Sequence, residues 1–270
     1  YPVGYGPTQQ EVITSAFLAA YSGADPNTIK LSSFPAIPLP NWNFTYNGLS
    51  KLPMFQDIFR NVAIKHQYKC TYNVGSFGNN LLYESMNGHP SAYNASNNFI
   101  PEFEIANVQV SEQFSPLIGV DVTMKNSLTA SVQYKKARTL NLSFTNNQLT
   151  DNSTNEIVIG VGYRFKDVKF SVKSASGSGK ITNLKSDINV KFDFSIKDNV
   201  TVLRRIDEEV NQISAGQKMY SINFTADYML SRNLTMAFYY NQTINRPYLS
   251  SSVDNSTLNT GITLRFSLAQ

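Results

Sequence analysis

The sequence predicts an all-β protein, an antiparallel up-and-down transmembrane β-barrel segment with a short N-terminal helix and a Pro-rich connector. Three observations predict it. Apolar residues recur at every second position over most of the chain after residue 104, the period of a strand rather than of a helix. Charged residues are only 16% of the 270 residues and aromatics are 12%, where a soluble domain carries about a quarter charged; such a chain suits sheets with one dry face and one wet face. Short and long connections alternate along the chain, as in outer-membrane barrels with short inner turns and longer outer loops.

Residues 1–40 stand apart. In PTQQEVITSAFLAAY (Pro7 to Tyr21), Val12, Ala16, Ala19 and Ala20 fall at helical spacing, with Thr8 as N-cap and Gly23 as terminator. FPAIPLPNW (Phe34 to Trp42) holds too many prolines for a helix and reads as an extended connector. The barrel region is 41–270. NWNFTYNGL reads as a strand, LPMFQDIF (Leu52 to Phe59) as a turn or two of helix, and NVAIKHQYKCTYNV (Asn61 to Val74) as a strand. Residues 75–104, rich in Asn, Ser, Gly and Pro, read as a long loop.

Beyond Glu104 the alternating sets follow one another: Ile118 to Met124, Leu128 to Tyr134, Leu140 to Phe144, Ile157 to Phe165, Ile188 to Ile196, Tyr220 to Tyr228, Leu234 to Tyr240 and Ile262 to Leu268. Tight turns are expected at Ser115-Pro116, Lys136-Ala137-Arg138, Lys166-Asp167, Asp198-Asn199 and Ser231-Arg232-Asn233, and at the opposite end longer connections at 146–155, 175–185, 209–214 and 246–256, with Lys125-Asn126-Ser127 a short one on that long side. These breaks give strands of roughly 9–13 residues, long enough to cross a bilayer when tilted. They give about thirteen strands, an odd number that favours a portion of a larger barrel over a complete one. The short turns and the C-terminus fall on one end.

Alternation assigns the faces. Ile188, Val190, Phe192, Phe194, Tyr220, Ile222 and Phe224 are expected to meet lipid; Lys191, Asp193, Lys197, Gln217, Asn223, Asp227 and Arg265 are expected to line a wet lumen. The last strand, TGITLRFSLAQ, ends almost flush with the chain, as a barrel-closing strand would. Asn259, Gly261, Leu264 and Phe266 fit the polar–glycine–hydrophobic spacing of a C-terminal assembly signal for outer-membrane proteins.

Other function classes have little to stand on. Net charge is +4, but the basic residues are spread along the chain, against nucleic-acid binding. The single cysteine, Cys70, allows no internal disulfide. No apolar run reaches the roughly 20 residues of a membrane helix. Tyr1-Pro2-Val3-Gly4 lacks the features of a signal peptide, so an exported chain starting there is expected to be mature, processed or a fragment. SASGSGKIT (Ser174 to Thr182) lacks the first glycine and the hydroxyl residue of a phosphate loop and reads as a flexible loop. His66 and Cys70 read as packing on one strand face, and RRIDEE (Arg204 to Glu209) as a solvated rim or lumen ion network. The Asn-x-Ser/Thr triplets at Asn141, Asn152, Asn199 and Asn233 reflect an Asn- and Thr-rich composition. No nucleophile–base set, metal cluster or nucleotide fingerprint is present, so no enzyme and no cofactor are expected.

Several long blocks carry a resemblance. PLPNWNFTYNGLSKLPMFQDIFRNVAIKHQYKCTYNVGSF (Pro38 to Phe77), SEQFSPLIGVDVTMKNSLTASVQYKKARTLNLSFTNNQLT (Ser111 to Thr150), VIGVGYRF (Val158 to Phe165), ADYMLSRNLTMAFYYNQTINRPYLSS and the ending LRFSLAQ are similar to the C-terminal region of the SprA/Sov family. That family comprises the outer-membrane translocons of the type IX secretion system in Bacteroidota. The resemblance implies the last part of a very large single-chain barrel in the cell outer membrane, around a wide protein-conducting pore. It implies export of folded cargo with a C-terminal signal domain, including gliding adhesins in motile relatives. The implied partners are the rest of the translocon polypeptide, a PorV-type shuttle protein, a plug protein, cargo and outer-membrane lipid. The alternative from the residues alone is a self-contained outer-membrane barrel acting as a porin or surface-binding module. An outer-membrane protease or lipase is a third reading, without the side chains to support it.

Overall fold

The computed structural model describes residues 3–7, 9–25, 31, 40–173, 181–206, 210–231, 233–249 and 252–267. Its strands are β1 (Trp42–Tyr46), β2 (Phe59–Asn79), the two-residue β3 (Ser85–Met86) and β4 (His89–Pro90), β5 (Phe103–Met124), β6 (Leu128–Ser143), β7 (Gln148–Lys173), β8 (Ile181–Arg205), β9 (Val210–Ser231), β10 (Leu234–Pro247) and β11 (Asn255–Phe266). β3 and β4 pair only with each other; the other nine form one antiparallel sheet in chain order. This is the up-and-down meander that the alternation predicts. The sheet is open: β1 and β11 are its edges.

The strands are fewer and longer than the sequence reading expects. β7 has 26 residues, β8 25 and β9 22. Four expected turns lie inside strands. Ser115-Pro116 falls in a register shift between Phe114 and Ile118 of β5. Lys136-Ala137-Arg138 runs mid-ladder against Asn155-Thr154-Ser153 of β7. Lys166-Asp167 is a bulge between Phe165 and Val168, with Asp167 at φ 57°. Asp198-Asn199 pairs with Asn155 and Thr154. At these positions side chains on both faces turn polar, and a strand wetted on both sides loses the contrast that marks it as a strand.

The true connections lie elsewhere. Residues 125–127 and Asn233 mark tight turns at one end, although 125–127 is expected at the end of the longer loops, and Ser127 takes the left-handed conformation there, at φ 71°. The expected breaks at 136–138, 166–167 and 198–199, which set its end in the count, lie inside strands instead. The 80–102 excursion, the four-residue turn 144–147 and the 248–254 segment lie at the other end. The expected loops 146–155 and 209–214 are therefore mostly strand, while the expected 246–256 loop narrows to the connection 248–254. Residues 181–185 of the expected 175–185 loop belong to β8, and 175–180 lie outside the described residues, with most of SASGSGKIT. LPMFQDIF forms the short helix α2 (Pro53–Gln56), after a 3₁₀ turn at Gly48–Lys51. The connector 32–39 lies outside the described residues.

The N-terminal helix α1 spans Gln10–Ser22. Gln9, not Thr8, is its N-cap residue, and Thr8 is outside the described residues. Gly23 ends it at φ 69°, the left-handed conformation that favours glycine. The helix lies on one face of the sheet. Ile13 packs with Ile105, Val108 and Leu142, and Leu18 packs with Cys70 and Val110. The Gln10 side chain fastens the helix to β5: its amide N–H donates to the Phe103 carbonyl, and its Oε1 accepts from Ile105 N–H at 3.0 Å.

Candidate functional site

The ladder register fixes which side chains share a face, since directly opposed residues point the same way. Ile188, Val190, Phe192 and Phe194 of β8 oppose Phe165, Tyr163, Val161 and Ile159 of β7, and Tyr228, Ala226, Phe224 and Ile222 of β9. The row continues through Val132 and Tyr134 of β6, Met236, Phe238 and Tyr240 of β10, and Ile262, Leu264 and Phe266 of β11. Tyr220 lies on the same face, opposite Ile196 and Ile244. All seven side chains expected to face lipid are on it. The belt is open to the surroundings: Val161 is 44% exposed, Phe192 41% and Ile262 67%. From Ile188 to Ile196 it runs about 27 Å along the strand, or about 20 Å of height at a tilt of about 40°.

The opposite face is polar. Lys191, Asp193, Lys197, Gln217, Asn223, Asp227 and Arg265 all lie on it, as the alternation predicts. Ion pairs cross between neighbouring strands there: Lys65–Asp121 at 2.6 Å, Lys135–Glu156 at 3.6 Å and Arg164–Asp187 at 2.6 Å. Gly160 and Gly162 leave a hollow of about 320 Å³ among Asp121, Thr129, Ser131, Lys191 and Asp193. A Cβ on Gly160 would lie 2.6 Å from both Asp193 Oδ1 and Ser131 Oγ.

The four assembly-signal residues divide between the faces of β11. Asn259 and Gly261 oppose Asn241 and Tyr239 on the polar side; Leu264 and Phe266 oppose Met236 and Leu234 on the apolar side. A Cβ on Gly261 would lie 2.6 Å from the Tyr239 hydroxyl. The tyrosine ring thus crosses the glycine, and a larger residue at 261 would displace it.

Above the belt the outer face changes character. Arg138 clasps Asp151 through two hydrogen bonds, Nε to Oδ1 at 3.1 Å and Nη2 to Oδ2 at 2.8 Å, and Arg204 approaches the same carboxylate at 3.6 Å. Tyr68 donates to Glu112 at 2.8 Å. The guanidinium of Arg246 lies 5.5 Å from the Tyr220 ring centre. Helix α1 covers the adjoining part of this face. His66 and Cys70 belong here too: the His66 ring contacts the Leu117 carbonyl through Nδ1 at 2.6 Å and stacks near Trp42, while Cys70 is buried 3.3 Å from the Tyr21 hydroxyl. Arg204 of RRIDEE joins the Asp151 cluster, and residues 207–209 are outside the described residues.

Two features were not found by sequence reasoning. The Arg138–Asp151–Arg204 cluster joins three strands, and only the ladder register brings its members together. The second is a cavity at the rim between α1 and the 80–102 excursion, with Glu11 on its wall. A glutamate in the first turn of a helix is ordinary, and nothing in the sequence marks it as buried. Burial raises its carboxyl above the usual range.

Among the described residues no helix is long and apolar enough to cross a membrane, and no group of three or more His, Cys, Asp or Glu side chains could hold a metal ion. No known family model matches the chain, and no curated protein matches it.

Proposed function

We propose that the chain is the C-terminal barrel portion of a type IX protein-conducting outer-membrane translocon, a wall of a wide pore that exports folded cargo with a C-terminal signal domain. One observation carries the membrane part of this reading: a contiguous, exposed belt of aliphatic and aromatic side chains on one face of the sheet, backed by a charged and hydroxyl-rich face. A soluble monomer rarely leaves an apolar patch larger than a few hundred Å² in water, whereas a bilayer requires one.

The open sheet supports a portion of a barrel over a complete one. Unpaired backbone groups at a strand edge are costly in hydrocarbon, and both β1 and β11 present such edges. Further strands of the same polypeptide or of a partner would cover them. The polar face would line the pore, with ion pairs across strands at Lys65–Asp121, Lys135–Glu156 and Arg164–Asp187 and further charged and amide side chains toward a hydrated passenger. The 80–102 excursion and the 248–254 segment share the end opposite the tight turns, and they are the proposed contacts for the shuttle and plug proteins. The identity as a translocon rests on the resemblance of the sequence blocks to the SprA/Sov family.

The size of the polypeptide tests this reading. An antibody against the 80–102 segment is used to probe outer membranes on a fully denaturing gel. A band several times larger than the chain's 30.2 kDa, co-purifying with shuttle and plug proteins before denaturation, is the expected result. A band near that mass with no such partners would overturn it in favour of a self-contained barrel.

A further inference from the structure

The rim cavity has a volume of about 280 Å³, many times the roughly 10–15 Å³ that one water needs and just below the roughly 300 Å³ at which small-molecule sites begin. Glu11, a residue only 7% exposed, is among those that line it. Gln10 donates to Glu11 Oε1 at 2.9 Å. Oε2, equally buried, has no hydrogen-bond partner among the described residues. An ionised oxygen held out of water without a donor is costly, and a cation in the cavity would remove that cost.

The rest of the lining fits a cation with an apolar stem. Tyr5, Tyr83 and Phe99 bring aromatic rings to the wall, and Glu102 adds a second carboxylate at the exposed mouth beside His89. Among the described residues, no lysine or arginine lines it. Aromatic faces attract ammonium and guanidinium groups, more strongly when desolvated. Gln9 and Gln10 fix the floor, since each donates its side-chain amide to a carbonyl of the 99–103 segment. We propose that this cavity binds the guanidinium or ammonium head of a basic side chain, with Glu11 as its counter-ion. The site lies on α1 and the excursion, and it stands whether or not the belt meets a membrane.

Binding is linked to a proton. Burial raises the Glu11 carboxyl, so the site holds a proton more readily than a free glutamate and releases it when the cation enters. The titratable groups that line the cavity with it are Tyr5, Tyr83, His89 and Glu102. Loss of the Glu11 proton favours a cation as pH rises from acid to neutral.

The test uses the native full-length polypeptide in detergent, titrated calorimetrically with N-acetyl-arginine amide and with its neutral isostere N-acetyl-citrulline amide. The expected result is saturable binding of the arginine probe, strengthening from pH 5 to pH 7, at least ten-fold weaker in Glu11→Gln, and no saturable binding of the citrulline probe. No saturable heat with the arginine probe, or equal binding of the two probes, overturns the proposal. So does undiminished binding in Glu11→Gln. The probe pair decides on the wild-type protein alone, even if the variant does not fold.

Discussion

Two stretches of the same outer face, on the same strands, have opposite chemistry. On β7 and β8 the belt runs through Ile157–Phe165 and Ile188–Ile196 and is apolar at every outward position. From two to eight residues further along, the same face carries Asn155, Ser153, Asp151, Asp198 and Arg204, with Val200 and Val202 between the last two. The backbone and the pairing are continuous across the boundary; only the surroundings differ. In the belt the side chains are half-buried to exposed among the described residues, with Phe192 41% and Ile262 67% exposed, and Tyr228 alone of those named is buried. Above it, α1 covers part of the face, and Asp151 sits almost buried between two arginines. The lesson is that strand geometry sets which side chains point outward, while the medium against that face sets their chemistry.

Five substitutions break or sharpen this contrast. Leu142→Ala removes a side chain 1% exposed from the contact between α1 and the sheet. A buried Leu→Ala change costs about 2–5 kcal/mol. The expected outcome is loosening of α1, read as proteolytic cleavage near Gly23, with the belt strands still protected. Loss of protection in the belt as well would show that the two regions are one cooperative unit. Phe192→Lys places a cation mid-belt, at a cost of about 2–4 kcal/mol in a bilayer, and is expected to lower the yield of assembled protein. Asp193→Lys, one residue away on the polar face, is expected to leave the yield unchanged. Equal yields would remove the facing assignment.

Arg138→Ala leaves Asp151 with only the more distant Arg204. Loss of a charged hydrogen-bond partner from a buried group costs about 1–3 kcal/mol, and urea unfolding should show the loss. No change would mean that the cluster is as well solvated as an ordinary surface pair. Lys65→Met removes the 2.6 Å pair to Asp121 on the polar face, where the lysine is 43% exposed. An exposed pair contributes about 0–1 kcal/mol, so stability should barely move. A loss as large as that of Arg138→Ala would mean that the polar face is not open to water.

The meander, the faces of every named belt and polar-face residue, and the helix of residues 10–22 were legible in the sequence because one physical contrast, dry against wet, writes each of them. The strand ends were not. Lys136-Ala137-Arg138 and Asp198-Asn199 look like turns because both of their faces are polar, yet they continue strands beyond the belt. Glu11 and Asp151 were invisible for a different reason. Each gains its role from residues distant in sequence, Phe99 and Phe103 for the helix start, Arg138 and Arg204 for the aspartate. Only the fold brings those partners together.

The most direct test is an accessibility scan along β8. Single cysteines are placed at successive positions from 188 to 204 in a Cys70→Ala background and spin-labelled. Their collision rates are measured with oxygen, which partitions into lipid, and with a water-soluble nickel chelate. The account predicts oxygen maxima at 188, 190, 192, 194 and 196, nickel maxima at the positions between them, and loss of the oxygen maxima from 198 onward. Nickel contact at every position from 188 to 196, or oxygen maxima at 191, 193 and 195, would contradict it.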